Sequence, residues 1–175
     1  MGSIAESGDF QKLRQYILSL KNQKYINEVY PMTGNKIIDI IIYQKSCECR
    51  EQKIRFYFKH NNINFNFIEE TDICCILCNV LDNAIDASKK AENKYIDLEF
   101  YTNREKDMYF IEIRNGCDTA HFVKEGHILT DKENKKEHGV GLFSVELTAR
   151  KYNGFISFDY LAEKNEFCMT VTIKK

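Results

Sequence analysis

The segment from Ile73 to Ala91 leaves this chain few choices of fold. Ile73, Ile76, Leu77, Val80, Leu81, Ala84 and Ile85 recur at the three- and four-residue intervals of a helix with a wide buried face. Within it, the stretch CNVLDNAIDAS (Cys78 to Ser88) places Asn79, Asp82, Asn83 and Asp86 on one side, inside an arc of about 100°. One reading of that stripe is the solvated face that any amphipathic helix has. Solvated faces favour lysine, glutamate and arginine, however, whereas asparagine and aspartate are poor helix formers. The other reading is a ligand site. Carboxamide oxygens are hard and neutral, suited to holding Mg²⁺ beside a polyphosphate without adding repulsive charge.

Around this helix the pattern alternates between periods. Phe10, Leu13, Ile17 and Leu20 make a narrow seam on a helix from Phe10 to about Asn27, and a seam of that kind needs a partner. Pro31 and Gly34 interrupt the chain, and Asn35 is placed to cap a second helix running to about Lys53. IRFYFKH and NINFNF read as strands, as do YIDLEFY and MYFIEIRN, and later ISFDYL and FCMTVTIKK. The polar stretch from Cys117 to His138 lacks periodicity and is expected to be a long loop, after which GVGLFSVELTARKY reads as a helix. Helices and strands mix without strict βα alternation. The expected fold class is therefore α+β: a two-layer sandwich with helices on one face of a mixed sheet.

At 175 residues, one domain with a short appendage is expected. The 25 basic and 26 acidic side chains nearly cancel, so no global field draws the chain to nucleic acid or to an anionic membrane, and a nucleic-acid partner is not expected. No apolar run approaches the roughly 20 residues of a membrane span, and the opening MGSIAESGDF has neither the basic start nor the apolar stretch of a secretory signal. Met1, Gly2 and Ser3 read as an expression scar, with an upstream portion expected to be missing. The seven cysteines include a CCxxC pattern at Cys74, Cys75 and Cys78. Its spacing lies within one apolar helix with no second ligand pair following at finger spacing, which favours buried thiols in a reducing cytoplasm over zinc or disulfides.

HGVGLFSV, His138 to Val145, closes the long loop. Gly139 and Gly141 let backbone approach a phosphate closely, and a helix starting just after them offers unpaired N–H groups and the positive end of its dipole. Alone, the pair also fits a plain glycine hinge before a helix; together with the asparagine stripe it points to a phosphate-bearing ligand.

These segments carry a resemblance. LCNVLDNAIDAS resembles the asparagine box, and HGVGL the second glycine box, of the ATPase superfamily that joins gyrase, the heat-shock chaperone of the same fold, mismatch-repair MutL and the sensor histidine kinases. More narrowly, TGNKIIDIIIYQKSCECREQKIRF and ILTDKENKKEHGVGL are similar to the quorum-sensing peptide receptors of Gram-positive bacteria, of the AgrC and VirS type. The resemblance runs from about Gly8 to the C-terminus. It implies the Bergerat ATP-binding fold, with ATP and Mg²⁺ as cofactors held between the asparagine helix and a lid loop. Asn83 is then the main Mg²⁺ ligand, and Asn79, one turn earlier, shares in holding metal or phosphate. Gly139 and Gly141 anchor the lid, and Lys132 reaches the terminal phosphate, with Lys135 and Lys136 as neighbouring alternatives. Asp86, His138 and Leu142 complete the nucleotide-binding set.

Two departures from the family pattern stand out. The superfamily reads adenine with an aspartate followed by spaced glycines, whereas MYFIEIRNGCD has Asn115 and a single Gly116; the asparagine oxygen can accept from the adenine amino group, but without charge assistance. The kinases also phosphorylate a histidine on the first helix of a dimerisation hairpin, next to an acidic residue. None of His60, His121, His127 and His138 is followed by an acid, and none lies in the N-terminal helix, which resembles the hairpin's second helix. No phosphoacceptor or other catalytic side chain is therefore assigned within the chain. The implied organisation is residues 1–30 as scar plus partial dimerisation helix and 31–175 as an ATP-binding catalytic domain. It would be the cytoplasmic part of a membrane receptor that phosphorylates the missing histidine, works as a homodimer when full-length and serves a response regulator. The alternative is a nucleotide-binding or dimerising module of the same fold without catalysis.

Overall fold

The computed structural model describes residues 33–61, 63–118, 123–124, 127–128 and 138–175. The expected N-terminal helix from Phe10 and Lys132 lie outside them.

Helix α1, Lys36–Glu51, begins where the sequence places its cap: Asn35 Oδ1 accepts from the N–H groups of Ile37 and Ile38 at 3.0 and 3.2 Å. It ends two residues before the expected Lys53. Lys53 takes the left-handed region at φ 57°, and the Ile54 N–H turns back to the Cys49 carbonyl at 2.8 Å. Strand β1 follows, Arg55–His60. The NINFNF segment does not form the expected strand. Asn64 Oδ1 takes the Asn66 N–H at 2.7 Å and the Ile68 N–H reaches the Phe65 carbonyl at 2.9 Å, so local side-chain bonding and a turn replace a ladder. Its apolar residues still reach the core: Ile63, Phe65 and Ile68 are buried, with Phe65 edge-on to Phe100.

The long helix α2 spans Glu70–Lys90 and buries the predicted apolar residues, from Ile73 to Ile85. Strands β2 (Tyr95–Thr102) and β3 (Met108–Gly116) alternate as read, with Ile96, Leu98, Phe100, Tyr109, Ile111 and Ile113 buried. Inside the expected loop lies a short antiparallel pair, β4 (Val123–Lys124) with β5 (His127–Ile128). Helix α3 (His138–Lys151) and strands β6 (Phe155–Leu161) and β7 (Glu166–Lys174) complete the chain.

The main sheet runs β1-β2-β3-β7-β6. Its β1–β2 pair is parallel, with α2 as the crossover, and every other neighbour is antiparallel. Among the described residues, α2 packs between α1 and α3, and the helices cover one face of the sheet, giving the expected two-layer α+β sandwich. Burying each large aliphatic side chain between the layers is worth roughly 1.5–3 kcal/mol. The opposite face carries the alternate residues, where Tyr101 donates to Glu112 at 2.8 Å and Glu112 pairs with Arg114. Among the described residues no helix is long and apolar enough to cross a membrane.

Candidate functional site

Helix α2 splits its polar stripe between two neighbours. Toward α1, Lys45 pairs with Asp82 and, at 3.1 Å, with Glu48, while Lys89 lies 3.6 Å from Glu48 and 3.4 Å from Asp86. Burial alone would lower the Lys45 pKa, but the hydrogen bonds to Asp82 and Glu48 outweigh it and raise the value. Asp82 and Asp86 are exposed. This side of the stripe is thus an ion-pair lattice between helices.

The two asparagines are placed differently. Asn79 is half-buried and faces α3. Its Nδ2 donates to the Cys75 carbonyl one turn back at 2.7 Å, and its Oδ1 lies over the first turn of α3. A Cβ on Gly141 would stand 2.7 Å from that oxygen. The expectation was that Gly141 makes room for phosphate; the room is in fact taken by the Asn79 carboxamide. The helix also begins at His138 rather than after the glycines, so Gly139 and Gly141 sit inside its first turn; the Gly139 N–H falls among those without an intrahelical acceptor, whereas at Gly141 the helical ladder has begun. Asn83, one turn beyond Asn79, is half-buried with its Nδ2 buried and without a hydrogen-bond partner. An uncommitted carboxamide can offer its N–H to a phosphate oxygen or, turned over, its oxygen to a cation.

Asn115 is the penultimate residue of β3, on the helix-covered face, between Ile96 and Phe167 in the ladder. It is only 1% exposed, and its Nδ2 donates to the Gly116 carbonyl at 2.9 Å. Gly116 serves the fold, since a Cβ there would stand 1.9 Å from the Asn93 carbonyl oxygen. Leu142 packs half-buried against the core.

Asn79 and Asn83 are the side chains at this position that could hold a metal. No cluster of three or more His, Cys, Asp or Glu side chains suited to a metal occurs among the described residues. Two neutral carboxamides one turn apart do not make a cage, but they fit a hard cation that takes its remaining ligands from water and phosphate, as Mg²⁺ does.

Sequence reasoning missed the contacts that join α2 to α3. Thr148 donates to Cys75 Sγ at 3.6 Å, and Asn79 Nδ2 lies 3.7 Å from the same sulfur. At the other end, Asp72, buried in the first turn of α2, accepts from Lys151 at 2.8 and 3.0 Å and from Tyr152 at 2.7 Å. Burial pushes the Asp72 carboxyl upward, but the bonds from Lys151 and Tyr152 and the lysine charge outweigh this and hold it below its ordinary value. The four-residue spacing of Cys75 and Asn79 was visible in the sequence; their partners on α3 were not. All seven cysteines are free, and Cys74, Cys75 and Cys78 are half-buried rather than fully buried.

The fold and the Asn79–Gly141 contact define an α+β domain with its candidate site between two helices, and residues 68–174 match the GHKL domain family. The chain belongs to that family. Sensor histidine kinase DpiB of Escherichia coli K12 is 27% identical over 109 residues, 59% of this chain and 19% of that protein, so the match spans about a fifth of this curated relative. Among solved structures, the nucleotide-free catalytic domain of histidine kinase ThkA aligns with a TM-score of 0.59 at 19% identity, over 81% of this chain and 92% of that one. Histidine kinase AdeS of Acinetobacter baumannii aligns with a TM-score of 0.57 at 16% identity, over 96% and 77%. The fold is that of histidine kinase catalytic domains.

Proposed function

We propose that this chain is the ATP-binding catalytic domain of a receptor histidine kinase and transfers the γ-phosphoryl group of ATP to a histidine on a dimerisation hairpin. The observation that carries the reading is the pairing of Asn79 with the first turn of α3 beside the uncommitted amide of Asn83. Asn79 and Asn83 would hold Mg²⁺, which when bound neutralises phosphate charge. The N–H groups around Gly139 orient the phosphates, and Asn115 faces the base. Catalysis is then positioning, with no side chain of the domain bonded to the transferred group. The acceptor comes from outside the domain: His60 ends β1, paired in the ladder with Phe100, at the opposite end of the sheet from Asn115, and stacks on Phe58. The segments before the asparagine box and around the lid favour a quorum-sensing receptor of the AgrC or VirS type. In that setting the domain is cytosolic, the full receptor is a homodimer and a response regulator receives the phosphoryl group. One observation favours a second reading, a module that binds nucleotide without transfer: Asn115 is neutral, and its amide is committed to Gly116.

The test supplies γ-labelled ATP, Mg²⁺ and a separate hairpin carrying the phosphoacceptor histidine. Acid-labile, base-stable label on the hairpin alone is the expected result. Label on this chain would place the acceptor wrongly. Label on neither, despite measured ATP binding, would favour the module.

A further inference from the structure

We infer that Cys75 and Thr148 are a positioning pair for Asn79, fixing the direction of its carboxamide oxygen and thereby the affinity for a Mg²⁺-bound nucleotide. The inference rests on the ATP-site reading above and names what in this chain sets the geometry of that site.

An asparagine on a helix surface can swing through several rotamers, and its carboxamide is planar, so fixing the nitrogen fixes the oxygen. Asn79 Nδ2 is held on one side by the Cys75 carbonyl at 2.7 Å and lies 3.7 Å from the Cys75 sulfur. The oxygen is thereby turned toward Gly141, where only a glycine leaves space for it. Cys75 is held in turn from α3. Thr148 is buried, 7% exposed, so its hydroxyl needs a partner inside the protein. Its contact is the Cys75 sulfur at 3.6 Å. A large, polarisable sulfur can serve two donors at these distances, which a methyl group cannot.

The geometry links the pair to the site through both helices. Gly141 faces Asn79 and Thr148 faces Cys75, so α2 and α3 run antiparallel, and the same two turns of α3 touch the asparagine directly and through the cysteine. A shift of Thr148 therefore moves the sulfur, the Asn79 amide and the oxygen that faces the first turn. Groups that orient a metal-binding side chain from behind typically change metal affinity by about 10- to 100-fold when removed.

The test uses the whole chain, four single variants and one double: Cys75→Ala and Thr148→Val, singly and together, which delete the acceptor and the donor, and Cys75→Ser and Thr148→Ser, which restore them. Calorimetry with ADP is run with Mg²⁺ and with EDTA. Cys75→Ala and Thr148→Val should each weaken Mg²⁺-dependent binding on the order of 10-fold and leave binding in EDTA unchanged. The double variant should be no weaker than the weaker single, because both act through one asparagine, and Thr148→Ser should recover most of the loss. In nucleotide-free protein, the NMR signals of the Asn79 side-chain NH₂ group should shift in Thr148→Val and return in Thr148→Ser. Unchanged affinity and an unmoved amide signal in Thr148→Val would overturn the inference. So would parallel losses with Mg²⁺ and with EDTA, which mark general loosening of the helix pair. Unaltered protein that binds no nucleotide would instead overturn the underlying ATP-site reading, and the amide signal would still decide whether the pair positions Asn79.

Discussion

Replacing Gly141 with alanine sets a local gain in stability against a loss at the site. In a helix interior alanine is preferred to glycine by about 1 kcal/mol, and less in the first turn of α3, where Gly141 lies. Against this, the new methyl would stand 2.7 Å from Asn79 Oδ1 and 3.4 Å from its Cγ. Those atoms end a side chain that can rotate, so the helices need not separate. Rotation breaks the 2.7 Å bond to the Cys75 carbonyl, a loss of about 1 kcal/mol. The two terms nearly cancel, so the melting temperature should change by no more than about 4 °C. Nucleotide binding has no such compensation, because the Asn79 carboxamide is turned out of place, and Mg²⁺-dependent ADP affinity should fall at least about 10-fold. Differential scanning calorimetry gives the first quantity and titration calorimetry the second. A Gly141→Ala protein that binds Mg-ADP like the unaltered chain would refute the assignment of Asn79 to the site. A variant that unfolds would show that the contact holds the helices together.

Asn83→Ala should leave the fold intact, since alanine favours the helix and the amide it removes has no partner, while abolishing the Mg²⁺-dependent part of nucleotide binding; equal binding with and without EDTA in the unaltered protein would contradict this. Leu81→Ala, at a fully buried position, should lower stability by about 2–5 kcal/mol in urea titrations with nucleotide affinity preserved in the folded fraction. The lowered pKa of Asp72 means that its stabilisation is complete above the ordinary value near 3.8 and is lost as pH falls through the folded-state value. Asp72→Asn should therefore lower the melting temperature at pH 7 and flatten its acid decline below about pH 4; a parallel decline in both proteins would remove Asp72 from the account. Gly154→Ala should prevent normal folding, because its methyl would stand 1.9 Å from the Thr172 carbonyl oxygen, which is backbone; a soluble protein with native melting would disprove that packing.

Periodic segments were legible because one face of each is buried. The α2 register and the alternation in β2 and β3 follow directly from apolar spacing, and the Asn35 cap from local chemistry. NINFNF was misread because alternating apolar residues are equally served by a coil that drops Ile63 and Phe65 into the core, and asparagine side chains close turns that a strand cannot use. At the candidate site, Asn79, Asn83 and the glycine pair drew notice because their residue types conflict with helix stability. Asp82 and Asp86 shared that signal, yet they sit in ion pairs with lysines whose position depends on how α1 packs. Cys75, Thr148 and Asp72 gave no local signal, since each matters through a partner far along the chain. The glycine at 141 was noticed for one reason and is occupied for another, because spacing tells that room is needed and not what fills it.

The Asp72 clamp gives α3 a fulcrum. Lys151 and Tyr152 pin the C-terminal end of the helix to the start of α2, while its glycine end meets Asn79. From Gly141 to Lys151 the helix axis is about 15 Å long at 1.5 Å per residue. Pivoting about the pinned end by roughly 4° would carry Gly141 about 1 Å, enough to open or close the gap to the Asn79 oxygen. The arm is stiff, so a tilt of α3 about its pinned end would be felt at the Asn79 oxygen with the full length of the lever.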